Sequence, residues 1–387
     1  MRTAVAALIF AVFSSSAFAD VAISDSDSLA AAIRAYANSA TLPGHANIMA
    51  GHKIKPGEKS HRGVPLSTTG TEATGSISLI DASGLKYFIN TNITFSTSSS
   101  ASGAMSEASY THAVAATTLN GGTTASTLND AFDGYNTACL SLNNTVATCE
   151  TGNANFDIYN KNGAPTLDGT CNNRQVIFPT QTMGSVTVSR EVYVPTDDSF
   201  GRWLNIVKNT SGTPQTVTLV VANNLGSDNN TVITGSSAGG TVNNSVTWVS
   251  TFQNYSGTTT SDPRLGHVLQ GAGASVGLAG VSFVNGNDNP YWGYTMTLQP
   301  GQTDIIMNFV TGQPSKAAAA TQSARLATLP ASALECVSAT QQSEIVNFVA
   351  RPAAAVIPTP GPSRRLLVLL TALLAAIGLI GFRLRLR

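Results

Sequence analysis

The sequence predicts a mainly β protein. Its body is one large antiparallel two-sheet sandwich with a small helical C-terminal cap, followed by a C-terminal transmembrane helix. Three observations carry this. From Thr74 to Val310, short segments alternate apolar and polar residues, the period of a half-buried strand. Their connections are rich in Gly, Asn, Ser and Asp, as in Asn223–Asn230 and Asn285–Asn289, with no helices interleaved. Charged residues make up only 11% of the 387, against roughly 25% in ordinary soluble domains, which disfavours a helical cytosolic protein. No repeat of fixed period is present, so propellers and solenoids are excluded.

Residues 1–19 read as a secretory signal. Arg2 is the basic start, Ala4–Phe13 the apolar stretch, and Ala17-Phe18-Ala19 a small-residue cleavage site before Asp20. Residues 20–63 form an N-terminal helix and basic loop. Leu29–Asn38 has apolar residues at helical spacing, and His52–Arg62 holds four of the body's 15 basic residues. With both ends removed, those 15 face 21 acidic groups. A weakly acidic body argues against a nucleic-acid partner, because phosphate binding needs a basic surface.

Residues 64–350 are the sandwich and its helical end. Ser76–Asp81 and Leu85–Phe95 flank an Asp81–Gly84 turn, a hairpin signal. Further strands are expected at Val176–Phe178, Gly184–Val194, Trp203–Lys208, Thr216–Ala222, Thr231–Gly235, Ser245–Phe252, His267–Leu269, Ser275–Phe283, Tyr291–Leu298 and Thr303–Val310. Ser315–Leu329 opens with a Ser cap and stops at Pro330. Ser332/Glu335 and Ser338/Gln341 are both spaced as capping boxes, the second opening a helix to about Phe348.

Residues 351–365, with Pro352, Pro358, Pro360 and Pro362, form an extended linker. Leu366–Phe382 follows, 17 residues whose only polar side chain is Thr371. That is near the lower limit for a hydrocarbon core about 30 Å thick. Arg383, Arg385 and Arg387 make 383–387 a basic cytoplasmic tail. The expected location is outside the inner membrane, tethered and facing the periplasm, then the cell surface or beyond.

This ending resembles the bacterial PEP-CTERM and IPTL-CTERM sorting tails, which combine a short Pro-containing motif, an apolar helix and a basic end. Ile357, Pro358 and Thr359 match the start of the Ile-Pro-Thr-Leu motif, while Pro360 and Gly361 stand where Leu-Ser is usual. The resemblance implies an exosortase-type sorting enzyme as partner, cutting near the motif.

The body carries a second resemblance. Val188–Lys208 contains a strand ending in Val-Pro and an Arg-x-Leu strand. Asn224–Asp228 then gives an Asn-Leu-Gly-Ser-Asp turn, and Pro300–Thr303 a Pro-Gly-Gln-Thr strand start. This is similar to an uncharacterised module of large secreted bacterial proteins. The strand count resembles the supersandwich of mutarotase-like proteins, a fold analogy that brings no function with it.

Cys139, Cys149, Cys171 and Cys336 are an even count in an exported chain, so disulfides are expected, with three connectivities open. Three of the four lie within 139–171. If all pair, one bridge must staple the helical end to the middle of the body. Zinc is not expected, because there is no C-x-x-C and no nearby His.

No catalytic residue, metal site or cofactor is assigned. Gly235–Gly239 fits G-x-S-x-G around Ser237, but no helix follows to build an elbow. His45, His52 and His61 lack zinc spacing, and His267 near Asp262 reads as structural. Asp130/Asp133 and Asp197/Asp198 are turn carboxylates, and Asn285–Asn289 reads as an Asx-type turn. Trp248, Trp292 and Tyr294 are the candidate glycan contacts, because an aromatic face buries sugar C–H surface. Two functions follow. One is a non-enzymatic envelope or matrix protein displayed through its tail. The other is a carbohydrate-binding or carbohydrate-active sandwich on the same tether, with polysaccharide as partner.

Overall fold

The computed structural model describes residues 75–91, 102–119, 125–129, 131–132, 134–142, 156–159, 164–227, 230–253 and 262–349. The signal segment, the 20–63 region, the linker with Ile357–Thr359, Leu366–Phe382 and the basic tail lie outside the described residues. So do Cys149, His45, His52, His61, Asp130 and Asp133.

Sixteen strands are described. They are β1 (Ser76–Ile80), β2 (Leu85–Asn90), β3 (Met105–Tyr110), β4 (Gly134–Leu142), β5 (Phe156–Ile158), β6 (Thr166–Leu167), β7 (Gln175–Met183) and β8 (Val186–Tyr193). Then come β9 (Gly201–Asn209), β10 (Gln215–Asn224), β11 (Thr231–Ser236), β12 (Trp248–Gln253), β13 (Arg264–Val268), β14 (Leu278–Val284), β15 (Asn287–Leu298) and β16 (Thr303–Gln313). Helices α1 (Lys316–Ala327) and α2 (Ala339–Glu344) follow. The first sheet runs β1-β2-β3-β4-β10-β15-β14, with β5 also on β4; the second runs β11-β12-β13-β16-β9-β8-β7-β6. Every ladder within them is antiparallel. The mainly β, two-sheet expectation therefore holds. Among the described residues no helix is long and apolar enough to cross a membrane.

Alternation decides which side chains meet. On β9, Trp203 and Val207 enter the inter-sheet core, where they join Val217, Leu219 and Trp292 of the first sheet. Leu204 points the other way, into a second apolar layer with Ile305, Met307 and Phe309 of β16. That layer is closed by Leu326, Leu329, Ala333, Val337, Ile345 and Phe348. The centre of the second sheet is thus covered on both faces, which explains why β9 and β16 are buried almost throughout.

The hairpin and most strands fall where alternation put them. Met105–Tyr110 and Gly134–Leu142 were not expected; both are rich in small polar residues. The β4 strand lies inside its sheet and is buried over eight positions, so its sequence cannot alternate. At the helical end, Ser315 caps α1 through its hydroxyl, as expected. The Ser332/Glu335 box does not form. Ala331–Leu334 is a single 3-10 turn after Pro330, and Ser332 spends its hydroxyl on Asp198 instead. The Ser338/Gln341 box does form, but α2 stops at Glu344; Ile345 is extended and Asn347–Phe348 bend.

The α1 helix rests on Gly266 of β13. A Cβ there would lie 2.0 Å from Ser323 Oγ, 2.8 Å from Thr311 Cγ2 and 3.0 Å from the Ala319 carbonyl oxygen. Gly266→Ala should therefore cost about 1–3 kcal/mol by overpacking. In urea titrations, adding Ser323→Ala should recover part of that loss. A neutral Gly266→Ala would show that the helix is not seated this closely.

Candidate functional site

The candidate glycan aromatics do not form a surface. Trp292 and Tyr294 have no exposure, and Tyr291 is also buried. Trp292 stacks on Phe283 at 5.9 Å, and Tyr294 donates its hydroxyl to the Leu269 carbonyl at 2.5 Å. Trp292 and Tyr294, expected as glycan contacts, are thus placed in the inter-sheet core. A strand facing the other sheet on one side and shielded on the other leaves no aromatic outward. Trp248 is half-buried and packs against the second apolar layer.

His267 lies at the centre of the inter-sheet core. Its Nδ1 is 3.0 Å from the Tyr135 hydroxyl and its Nε2 2.9 Å from Thr251 Oγ1. The rings of Tyr135, Phe283 and Trp292 surround it. Burial pushes its pKa down to about 3, so the imidazole is neutral at any ordinary pH. Both ring nitrogens are engaged by hydroxyls rather than by Asp262. It is a packed core residue, not an accessible base. Arg190 is equally enclosed. It donates to Asn205 Oδ1 at 2.8 Å, the Ser102 carbonyl at 3.1 Å and Asn136 Oδ1 at 2.6 Å, all neutral acceptors.

Ser237 lies in a turn after β11, accepts a hydrogen bond from the Thr247 N–H, and is followed by turns and β12 rather than by the helix a nucleophile elbow requires. Asn287 Oδ1 accepts from the Asn289 N–H, as an Asx turn requires. Among the described residues no group of three or more His, Cys, Asp or Glu is placed to hold a metal ion.

The most heavily built feature is the junction between the second sheet and the C-terminal cap. Cys171, ending a 3-10 turn at Gly169–Cys171, is bonded to Cys336 across 165 residues of sequence. This is the staple the cysteine spacing called for. Cys139 is disulfide-bonded as well. Beside the bridge, Arg202 enters from β9 with no exposure. It donates to the Ala333 and Glu335 carbonyls at 2.9 and 2.6 Å and to Gln175 Oε1 at 2.9 Å. Its guanidinium lies over the Tyr193 ring at 4.6 Å. Tyr193 in turn donates to the Glu335 carboxylate at 2.6 Å. Asp198 gathers Arg325, Ser332 and Gln322 from the cap. Partial burial works against its charge, yet these hydrogen bonds win, and its carboxyl lies below the usual range. Sequence reasoning placed Asp197/Asp198 in a turn but had no way to see three partners more than 120 residues distant.

No protein-family profile matches this chain, and no curated protein matches it. Among solved structures, it is similar to a polysaccharide lyase at 12% identity and a TM-score of 0.34, over 59% of this chain and 32% of the lyase. The chain thus spans about a third of that enzyme. It is also similar to a galactose mutarotase-like protein from Lactobacillus casei, at 9% identity and a TM-score of 0.34, over 61% and 99% of the two chains. A putative aldose 1-epimerase from Klebsiella pneumoniae gives 9% identity and a TM-score of 0.34, over 75% and 89%. Likenesses this distant assign neither a family nor an activity.

Proposed function

We propose that this chain is an exported, tail-tethered envelope or extracellular-matrix protein whose sandwich body is displayed rather than catalytic. One observation carries the choice over a carbohydrate-active body. The aromatic rings a sugar platform would need, Trp292 and Tyr294 above all, are spent on the inter-sheet core. Among the described residues the exposed large apolar side chains are Ile80, Leu167 and Val349, none of them aromatic. The Cys171–Cys336 bridge supports an oxidising compartment. In this reading an exosortase-type enzyme acts at Ile357, Pro358 and Thr359. Leu366–Phe382 spans the membrane, with Arg383, Arg385 and Arg387 in the cytoplasm.

The tether is tested by Leu374→Arg. A charge at the centre of a membrane helix costs about 2.5–3.5 kcal/mol on insertion scales, and 17 residues leave little surplus. The variant should move to the soluble fraction, uncleaved, with its body folded. Retention in the membrane would mean that the body itself binds lipid, and the tail reading would be lost. The displayed-body reading is tested by titrating matrix polysaccharides. Saturable binding abolished by Trp248→Ala would replace it with the carbohydrate-binding alternative.

A further inference from the structure

The last described residues before the linker are not a frayed end. Ile345 makes an isolated parallel bridge to Ile305 of β16, and Val346–Phe348 bends on beside that strand. This strip occupies the edge that β13 leaves open, because β13 pairs with β16 only from Phe309 onward. The strip is fastened on two sides. On one, the Val346 N–H donates to the Ile305 carbonyl at 3.1 Å. On the other, the Val346 carbonyl accepts from the Val276 N–H at 3.0 Å, and the Asn347 carbonyl from the Gly271 N–H at 2.9 Å. Asn347 has no exposure, and its amide acts as a stretch of backbone. It accepts from the Met307 N–H at 2.8 Å and donates to the Met307 and Leu269 carbonyls at 2.7 and 2.9 Å. Phe348 then wedges in, edge-on to Phe309 and so close to Gly271 that a Cβ there would lie 2.8 Å from its ring.

We propose that Ile345–Phe348 is a load-bearing clasp, and that Cys336–Cys171 is its backstop. Tension along the axis of the strip is borne first by its hydrogen bonds to β16 and to the 269–276 segment. The hydrogen bonds lie across that axis, so they share the load and do not open one at a time. If the strip slips, α2 follows it, and the load passes to the disulfide. The chain released by then is 337–349, roughly 45 Å at 3.3–3.6 Å per extended residue. The residues enclosed by the bridge, 172–335, are then shielded from the load. The purpose of the clasp rests on the tether reading; its mechanics do not.

The test is single-molecule stretching of the full chain in detergent, between N- and C-terminal handles. Oxidised protein should show a step of at most roughly 45 Å, the extended length of 337–349 less its folded span, after which the Cys171–Cys336 loop stays closed. Reductant should let that event run on into α1 and so lengthen the step well beyond that bound. Asn347→Ala should lower the force of the step by a third or more without changing its length. The wild-type comparison with and without reductant needs no variant to fold. The proposal is overturned if the oxidised chain lacks the step, if reductant does not lengthen it, or if Asn347→Ala leaves its force unchanged. Fractionation of Leu374→Arg reports on the tether alone, so either reading can fail without the other.

Discussion

Replacing Cys336 with serine is expected to destabilise the protein by about 4–5 kcal/mol, because the bridge closes a loop of 165 residues and chain-entropy loss scales with loop length. The loss should not fall evenly. Most of the cap packs in the second apolar layer on the outer face of the second sheet, with Val346 reaching the inter-sheet core, whereas the two sheets share that core throughout. Hydrogen exchange of Cys336→Ser should therefore show Ser315–Phe348 opening first, with β9 and β16 still protected. Uniform loss of protection would mean that cap and sandwich are one cooperative unit and that the bridge stabilises both alike.

Acid should expose the second large effect. His267 has a folded pKa pushed down to about 3 by burial, against an ordinary value of 6.5. The unfolded chain binds the proton more readily, so the stability from His267 is present above pH 6.5 and is lost as pH falls toward 3. The full loss is on the order of 5 kcal/mol at 1.36 kcal/mol per pH unit. Asp81 works the opposite way. Burial pushes its carboxyl up to about 6, so its contribution is lost as pH rises through that value. The readout is therefore the difference between wild type and His267→Gln in urea titrations from pH 7 to 4. That difference should change by several kcal/mol. A pH-independent difference would mean that the imidazole reaches solvent.

Much of the sandwich was legible because its half-buried strands must alternate. The hairpin at Asp81–Gly84 and the half-exposed strands β7 and β8 follow that rule. What was not legible follows from the same physics. The β4 strand is covered on both sides and carries Thr, Ala, Cys and Ser where a reader looks for Val and Ile. The aromatic strand β15 alternates in sequence but not in exposure, so Trp292 and Tyr294 passed for a surface when they were the core. The cap was legible at its ends. Ser315 and the Ser338/Gln341 box act locally, through hydrogen bonds three residues long. Arg202, Asp198 and Asn347 were not, because each draws its meaning from partners 40 to more than 130 residues away. The stapling bridge was the exception, since cysteine spacing alone required one long-range link.

The place of β16 also sets the order in which the body can be finished. It is the last described strand and lies near the middle of its sheet, joining β13 on one side to β9 on the other. Until Thr303–Gln313 is available, β11-β12-β13 and β9-β8-β7-β6 are two fragments with nothing between them. A chain that emerges N-terminus first therefore holds no completed second sheet until nearly all of it has appeared. For a polypeptide threaded through a narrow translocation channel, late closure is an advantage: no folded barrier forms behind the part still moving, and the sheet closes only once its central strand has emerged.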